Sequence, residues 1–301
     1  MPANAQKPKL IAVVGATSTG KTAFSIQLAK SLGGEVVSVD SRQVYRGLNL
    51  GTGKVTKKEM GGVPHHMLDI ASPKQTYTAS TFTSDARRAI GEILNRGNIP
   101  ILCGGTGFYL DMLLGRISTP EVPPNKVLRA KLSKKNATEL YKQLKKLDPT
   151  RARSIDRRNP ARLIRAIEIA TALGKVPKVV SNEPYQTLTI GLTLSQEILE
   201  KRIKTRLQAR LRAGMLREAR KLHASGLSWK RMEELGLEYR YMARHLQGRI
   251  SKREMELQLF TEIVHYAKRQ KTWFKRDKKI SWISPSDTKR ALRTSRAFLK
   301  Q

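Results

Sequence analysis

Short apolar runs alternate with amphipathic stretches along most of this chain. Leu10–Val14, Glu35–Val39, Met67–Ile70, Ile99–Cys103, Leu188–Leu194 and Ile280–Ile283 are brief, mostly rich in Val, Ile and Leu, and separated by segments long enough for helices. Runs apolar at consecutive rather than alternate positions predict strands covered on both faces, hence a parallel sheet between helices. From Gly115 to Pro184 the pattern changes. Pro120, Pro123 and Pro124 break the chain, and the charged amphipathic segments Val127–Lys134, Thr138–Leu147 and Pro160–Leu173 carry no strand signal. The expectation is an α/β core begun by residues 1–116, an all-helical insertion over 117–186, and a return strand near Thr187 opening a basic, helical C-terminal part over 187–301. There Leu199, Ile203, Leu207 and Leu211 recur every fourth residue with Arg202, Arg206 and Arg210 on the adjacent stripe, which turns the leucines to the core and lines the guanidinium groups along one edge.

The first apolar run leads directly into Gly15-Ala16-Thr17-Ser18-Thr19-Gly20-Lys21-Thr22, which has the spacing G-x-x-x-x-G-K-[ST] of a phosphate-binding loop. Its glycines let successive backbone N–H groups converge on one anion, and a helix starting near Lys21 adds its positive end. Lys21 contributes a point charge and Thr22 a hydroxyl for a magnesium ion. With the sheet pattern, this predicts a P-loop NTPase-like fold and a ligand carrying a di- or triphosphate.

Charge enlarges that picture. The 301 residues contain 58 Lys and Arg against 24 Asp and Glu, a net +34, and most of the excess falls after residue 114. A field of that sign draws polyanions through counterion release, so nucleic acid is the expected partner. In Tyr266–Trp273, cations, amides and aromatics share successive helical turns, which suits stacking on bases and gripping phosphates, while core burial of Trp273 fits the same pattern. The single cysteine, Cys103, excludes a disulfide framework and points to a reducing compartment. No run approaches the ~20 apolar residues that cross a bilayer, and the polar stretch Met1–Lys9 lacks the apolar segment of a secretory signal. A cytoplasmic protein without membrane contact is expected.

Asp40 closes the second apolar run, which places its carboxylate at the carboxyl edge of the sheet, where ligands of doubly wound folds sit. It could hold magnesium through water or take a proton from an attacking nucleophile. The run Ile99–Cys103 ends in Gly104-Gly105-Thr106-Gly107 where an ordinary NTPase usually has an acid, which weakens an ATPase reading. His65 and His66 are adjacent on an extended segment and point to opposite sides, so one ion cannot take both; packing or a hydrogen bond is expected of them.

Taken together the motifs resemble the tRNA dimethylallyltransferases, also called tRNA isopentenyltransferases. The matching pieces are Gly15–Thr22, Asp40-Ser41-Arg42-Gln43-Val44-Tyr45, Gly51-Thr52-Gly53-Lys54, His65-His66-Met67-Leu68-Asp69, Gly104–Tyr109, Asp148-Pro149, Arg162–Glu168 and Ala267–Trp273, in order along nearly the whole chain. The resemblance implies transfer of the dimethylallyl group from dimethylallyl diphosphate to N6 of the adenosine beside the anticodon. The loop Gly15, Ala16, Thr17, Ser18, Thr19, Gly20, Lys21 and Thr22 would hold the donor's diphosphate, with Mg²⁺ on Thr22 directly or through water. It makes Asp40 the general base, Thr17 a donor contact and Arg206 a stabiliser of the leaving diphosphate. It assigns tRNA contacts to Asp40, Ser41, Arg42, Gln43, Thr106, Arg129, Arg162, Arg165, Lys268, Arg269 and Gln270, and implies a monomer. The chain departs from the family pattern at Ala16, at Ser18-Thr19, at the displaced glycine of Gly236–Arg240, and at Val264-His265. The rival readings are an adenylate isopentenyltransferase acting on a free nucleotide, a P-loop kinase or NTPase, and an RNA-binding protein whose loop is only structural, against which intact Lys21, Thr22 and Asp40 argue. The basic C-terminal part and Tyr266–Trp273 favour a macromolecular acceptor.

Overall fold

The computed structural model describes residues 7–177 and 181–301. The opening six residues of the polar stretch Met1–Lys9, and residues 178–180 of the expected insertion, lie outside the described residues. The chain divides into two compact units, one comprising the chain up to Gly115 together with Glu183–Gln301, the other Arg116–Asn182.

In chain order the first unit begins β1 (Lys9–Gly15), α1 (Lys21–Leu32), β2 (Gly34–Val39), α2 (Lys57–Met60), β3 (His65–His66), α3 (Ala79–Asn95), β4 (Ile99–Gly104) and α4 (Gly107–Leu113). The second unit holds α5 (Lys126–Leu132), α6 (Ala137–Leu147), α7 (Pro149–Ser154) and α8 (Pro160–Leu173). The first then resumes with β5 (Gln186–Leu192), α9 (Gln196–Arg212), α10 (Met215–Ala224), α11 (Trp229–Leu235), α12 (Leu237–Leu246), α13 (Lys252–Phe274), β6 (Ser281–Ile283) and α14 (Thr288–Lys300).

Among the described residues the strands form one six-stranded sheet in the order β3-β2-β4-β1-β5-β6, every pair parallel. Successive side chains of β1 leave on opposite faces. Leu10, Ala12 and Val14 join the core under α3, α4, α9 and α13, while Ile11 and Val13 join the core under α1 and α14. Both faces are therefore apolar, which is why the strand reads as a continuous hydrophobic run. The chain moves from β1 to β2 in one direction and later adds β5 on the other side, so the end of β1 is a topological switch point, the place where such sheets bind ligands.

The expected strand over Met67–Ile70 is displaced. The pairing falls on His65–His66 against Val36 and Val37, and the chain then turns at Met67 (φ 65°) and Asp69 (φ 54°), left-handed conformations that no strand can hold. The apolar residues of that run are used in different ways: Met67 enters the core, while Ile70 is 38% exposed.

The helical unit has its own core of Leu132, Leu140, Leu144, Ala152, Leu163, Ala166 and Ile167. Its helix starts are marked by side-chain caps at Asn125, Asn136, Asp148 and Asn159, with Pro149 and Pro160 at the first helical positions of α7 and α8. None of the described helices is long and apolar enough to cross a membrane.

Candidate phosphate site and its cavity

The loop between β1 and α1 is shaped by its glycines. Gly15 (φ 141°) passes so close to the Leu192 carbonyl that a Cβ would lie 2.6 Å from its oxygen, and Gly20 (φ 96°) turns the backbone into the helix. Ser18, at φ 62°, is the one loop residue with a side chain that adopts the left-handed conformation. Thr19 is buried, and its hydroxyl ties back to the Ala16 carbonyl at 2.9 Å. No side chain caps the first turn of α1, and no acid lies in it, so its N–H groups and positive dipole end face the loop's concavity. Lys21 Nζ donates to the Ala16 carbonyl at 2.6 Å, folding over the loop. Burial pushes the Lys21 ammonium down to about 8, with nearby Arg206 acting in the same direction and Cys103 and Asp40 opposing it.

This loop opens into a cavity of about 930 Å³. Its wall brings together Thr17, Ser18, Gly20, Lys21 and Thr22 of the loop region, Asp40 and Gln43 after β2, Gly104 and Gly105 at the end of β4, Arg206 of α9, and Tyr266 and Gln270 of α13. These residues span more than 250 positions of sequence and converge because β1, β2 and β4 are neighbours whose carboxyl ends all lie on one edge.

Asp40 Oδ1 accepts the backbone N–H groups of Arg42 (2.8 Å) and Gln43 (3.2 Å), a local turn that fixes the carboxylate on the cavity wall. The Ser41 N–H donates to Thr106 Oγ1 at 3.2 Å, with Tyr266 beside it. Burial pushes the Tyr266 hydroxyl far up, with the Asp40 charge adding to it, so it stays a proton donor. Gly104 has to be glycine: a Cβ there would lie 2.0 Å from the Val39 carbonyl oxygen. A metal-binding acid at this strand end is therefore ruled out by packing as well as by sequence.

Arg206 reaches the cavity from α9 and is anchored by one bond, Nη2 to the Gly53 carbonyl at 2.9 Å. The loop carrying Gly53 is held from behind. Glu218 accepts the N–H groups of Asn49, Leu50 and Gly51 and the Tyr239 hydroxyl, while Arg210 donates to the carbonyls of Leu50 and Gly51 and to Glu238. The Gly236–Arg240 segment thus buries Tyr239 in this support. Glu218 escaped the sequence reading, because nothing in local sequence pairs the Gly51-Thr52-Gly53 loop with a glutamate 165 or more residues away.

The remaining expected site residues sit in three places. Arg42 flanks the cavity through its backbone bond to Asp40. Lys268 and Arg269 lie exposed on α13, with Arg269 over the Tyr266 ring at 6.0 Å. Gln270, by contrast, is 5% exposed and bonded inside the protein. Arg129, Arg162 and Arg165 belong to the helical unit. There Arg129 grips the buried Glu168 with Nε and Nη2 at 2.9 and 2.7 Å and Arg165 joins it, whereas Arg162 is exposed.

The two histidines follow the expectation of hydrogen bonding. His65 Nδ1 lies 2.8 Å from the Val63 carbonyl and His66 Nε2 2.6 Å from Glu35, a carboxylate also held by Arg96 and Asn98. Among the described residues no cluster of three His, Cys, Asp or Glu forms a metal site.

A parallel sheet whose phosphate loop opens at the switch point, beside a carboxylate and an arginine from a distant helix, defines a P-loop protein built for group transfer rather than simple anion storage. Comparison narrows that class. The family model described as IPP transferase matches residues 43–277, and one described as isopentenyl transferase matches residues 8–77. A tRNA dimethylallyltransferase of Treponema denticola is 45% identical over 92% of this chain and 96% of its own length, and one of a Roseiflexus species is 42% identical over 89% and 90%. The full-length tRNA isopentenylpyrophosphate transferase of Bacillus halodurans superposes with a TM-score of 0.74 at 35% identity, covering 98% of this chain and 96% of that one. A eukaryotic dimethylallyltransferase solved acting on tRNA gives 0.84 at 27%, over 97% and 80%. This chain belongs to the IPP transferase family, the family of the tRNA dimethylallyltransferases.

Proposed function

We propose that this protein transfers the dimethylallyl group of dimethylallyl diphosphate to N6 of the adenosine 3′-adjacent to a tRNA anticodon, releasing diphosphate. The observation that carries the reading is the convergence, on one cavity wall, of the phosphate loop, Arg206 and Asp40 in a chain of this family.

The donor's diphosphate takes the concavity at the start of α1. Lys21 exchanges its bond to Ala16 for a diphosphate oxygen, and Arg206, anchored through Gly53, turns its remaining N–H groups to the same charge. As the C1–O bond breaks, its electron pair goes to the diphosphate and the positive charge left on the prenyl group is spread by allylic delocalisation. The adenine N6 lone pair forms the new bond to C1, and the N6 proton passes to Asp40. An adenine amine is a weak nucleophile because its lone pair is drawn into the ring, so a base beside it matters. The target base has to leave its stack to reach this depth.

Magnesium fits the donor set. Thr22 and Asp40 offer hard oxygens on the cavity wall, and this ion takes most of its shell from water and substrate phosphates. Thr22 would hold it, directly or through water, and when bound it neutralises diphosphate charge. The exposed cations Lys268 and Arg269, with Ser41, Arg42, Gln43 and Thr106 at the cavity edge and Arg162 of the helical insertion, grip the RNA. We place the enzyme in the cytoplasm, working as a monomer, which sedimentation at assay concentration checks.

The deciding assay is incubation with labelled dimethylallyl diphosphate, Mg²⁺ and either bulk tRNA or AMP. Label is expected in tRNA. Label only in AMP would make the protein an adenylate isopentenyltransferase, and ATP turnover without a prenyl donor would make it an NTPase.

A further inference from the structure

Helix α13 presents three side chains to the glycine-rich turn after β4 at intervals of one helical turn. Tyr266 stands beside Thr106, Gln270 donates its amide to the Gly105 carbonyl at 2.9 Å, and Trp273 packs so tightly on Gly107 that a Cβ there would lie 2.2 Å from its ring. Gln270 does more than its neighbours. Its Oε1 accepts the Thr17 N–H at 2.7 Å, so one primary amide ties the phosphate loop to the turn after β4. A Cβ on Gly105 would lie 2.1 Å from Gln270 Nε2, so the turn has been kept bare to admit this amide. The side chain is 5% exposed, whereas Lys268 and Arg269, on the neighbouring positions of the same helix, are exposed. Trp273 Nε1 donates to Asp111 at 2.9 Å, which fixes the far end of the strut to α4.

We infer that Gln270 is a positioning residue that sets the phosphate loop from α13, the helix that offers its outer face to RNA, rather than a group that touches RNA itself. Two consequences follow from the bond geometry. The Thr17 N–H is spent on Gln270, so an anion in the loop is held by amides further along, towards Lys21. And because Gln270 accepts with one end of its amide and donates with the other, neither a carboxylate nor a hydrocarbon can make both bonds. Removing it leaves the Thr17 N–H and the Gly105 carbonyl without this partner.

This rests on the prenyl-transfer reading only for the identity of the donor. The test therefore includes a ligand that needs no turnover. Calorimetry with inorganic diphosphate and Mg²⁺ is run on the full chain beside the donor KM, kcat, and the Kd for tRNA by filter binding. For Gln270→Met, which keeps the length and loses both bonds, diphosphate Kd and donor KM are expected to rise about tenfold, the loss of roughly one buried hydrogen bond. The Kd for tRNA stays within about twofold. Gly105→Ala, whose Cβ would displace the same amide, should reproduce the split, and so covers the case in which the first variant fails to fold. A fall in tRNA affinity with diphosphate binding unmoved would make Gln270 an RNA contact and overturn the inference. So would two folded variants that bind both ligands as well as the parent. A parent that binds diphosphate but transfers no prenyl group would sink the proposed activity and leave the strut to be judged by calorimetry.

Discussion

Two carboxylates, one in each unit, show how differently the same group can be used. Asp40, in the sheet unit, accepts two backbone N–H groups on Oδ1 and faces the cavity beside Lys21, Arg206 and Tyr266. Glu168, in the helical unit, is 2% exposed and saturated: Arg129 binds it with two nitrogens, Arg165 with a third, and the Asn125 N–H completes the set. Burial pushes the Glu168 carboxyl up, but those donors outweigh it and hold it at about 2. A carboxylate with both oxygens committed to cations orders a fold and cannot collect a proton at neutral pH. One bound through a single oxygen to its own turn is oriented and still has acceptor capacity for chemistry. The contrast also bears on the arginines. Arg129 and Arg165 carry positive charge that Glu168 offsets, so of the three arginines of that unit expected to meet RNA, Arg162 has the least compensated charge.

The largest effect is expected where the contrast is sharpest. Asp40→Asn keeps the Oδ1 acceptor for the Arg42 and Gln43 amides and removes the basic oxygen. Transfer kcat should fall by about 10²–10⁴, the worth of a general base, while tRNA Kd in a filter-binding assay stays within about threefold. Comparable loss of tRNA binding would make Asp40 an RNA contact rather than a base.

Glu168→Gln probes the other side. Breaking a buried pair costs about 3–5 kcal/mol, reduced here to about 2 because both guanidinium groups remain partly in water. For a unit of this size that is a drop of roughly 10 °C in its melting transition by calorimetry. The depressed carboxyl also sets the direction with pH. The pair stabilises fully above the ordinary glutamate range near 4.3, and its contribution is lost as pH falls through that range towards about 2. A variant melting like the parent would show that Glu168 does not hold the unit together.

The same contrast governs what could be read in advance. The phosphate loop works through its backbone, and its requirements for glycine and for a lysine at fixed spacing are written in consecutive positions. Asp40 was legible because it ends a strand, and strand ends in parallel sheets share an edge. Where function depends on which way a side chain points, sequence is mute. Gln270 lies between exposed Arg269 and half-buried Lys271, yet it faces inward. Arg165 and Glu168 stood in one quoted motif, but their closure with Arg129 needs the α5–α8 contact. The strand expected over Met67–Ile70 failed for a related reason: hydropathy cannot see the left-handed turns at Met67 and Asp69 that let the chain drop away from the sheet edge.

The smallest effect separates the units by pH alone, since Lys21 titrates where Glu168 does not. The free enzyme binds the donor's diphosphate best with Lys21 protonated, and burial has lowered that group from its ordinary 10.5 to about 8. A lowered value means that the proton is lost sooner as pH rises. Donor kcat/KM, which reports the free enzyme, should therefore fall above about pH 8, by up to tenfold per unit until the contribution of the charge is gone. The Kd for tRNA should change far less over the same interval, because the arginines stay charged throughout it. Lys21→Arg provides the control, since a guanidinium keeps its charge and should flatten the alkaline limb even if it fits the loop less well. A limb that persists in this variant would assign the titration to another group and remove Lys21 from the account of donor binding.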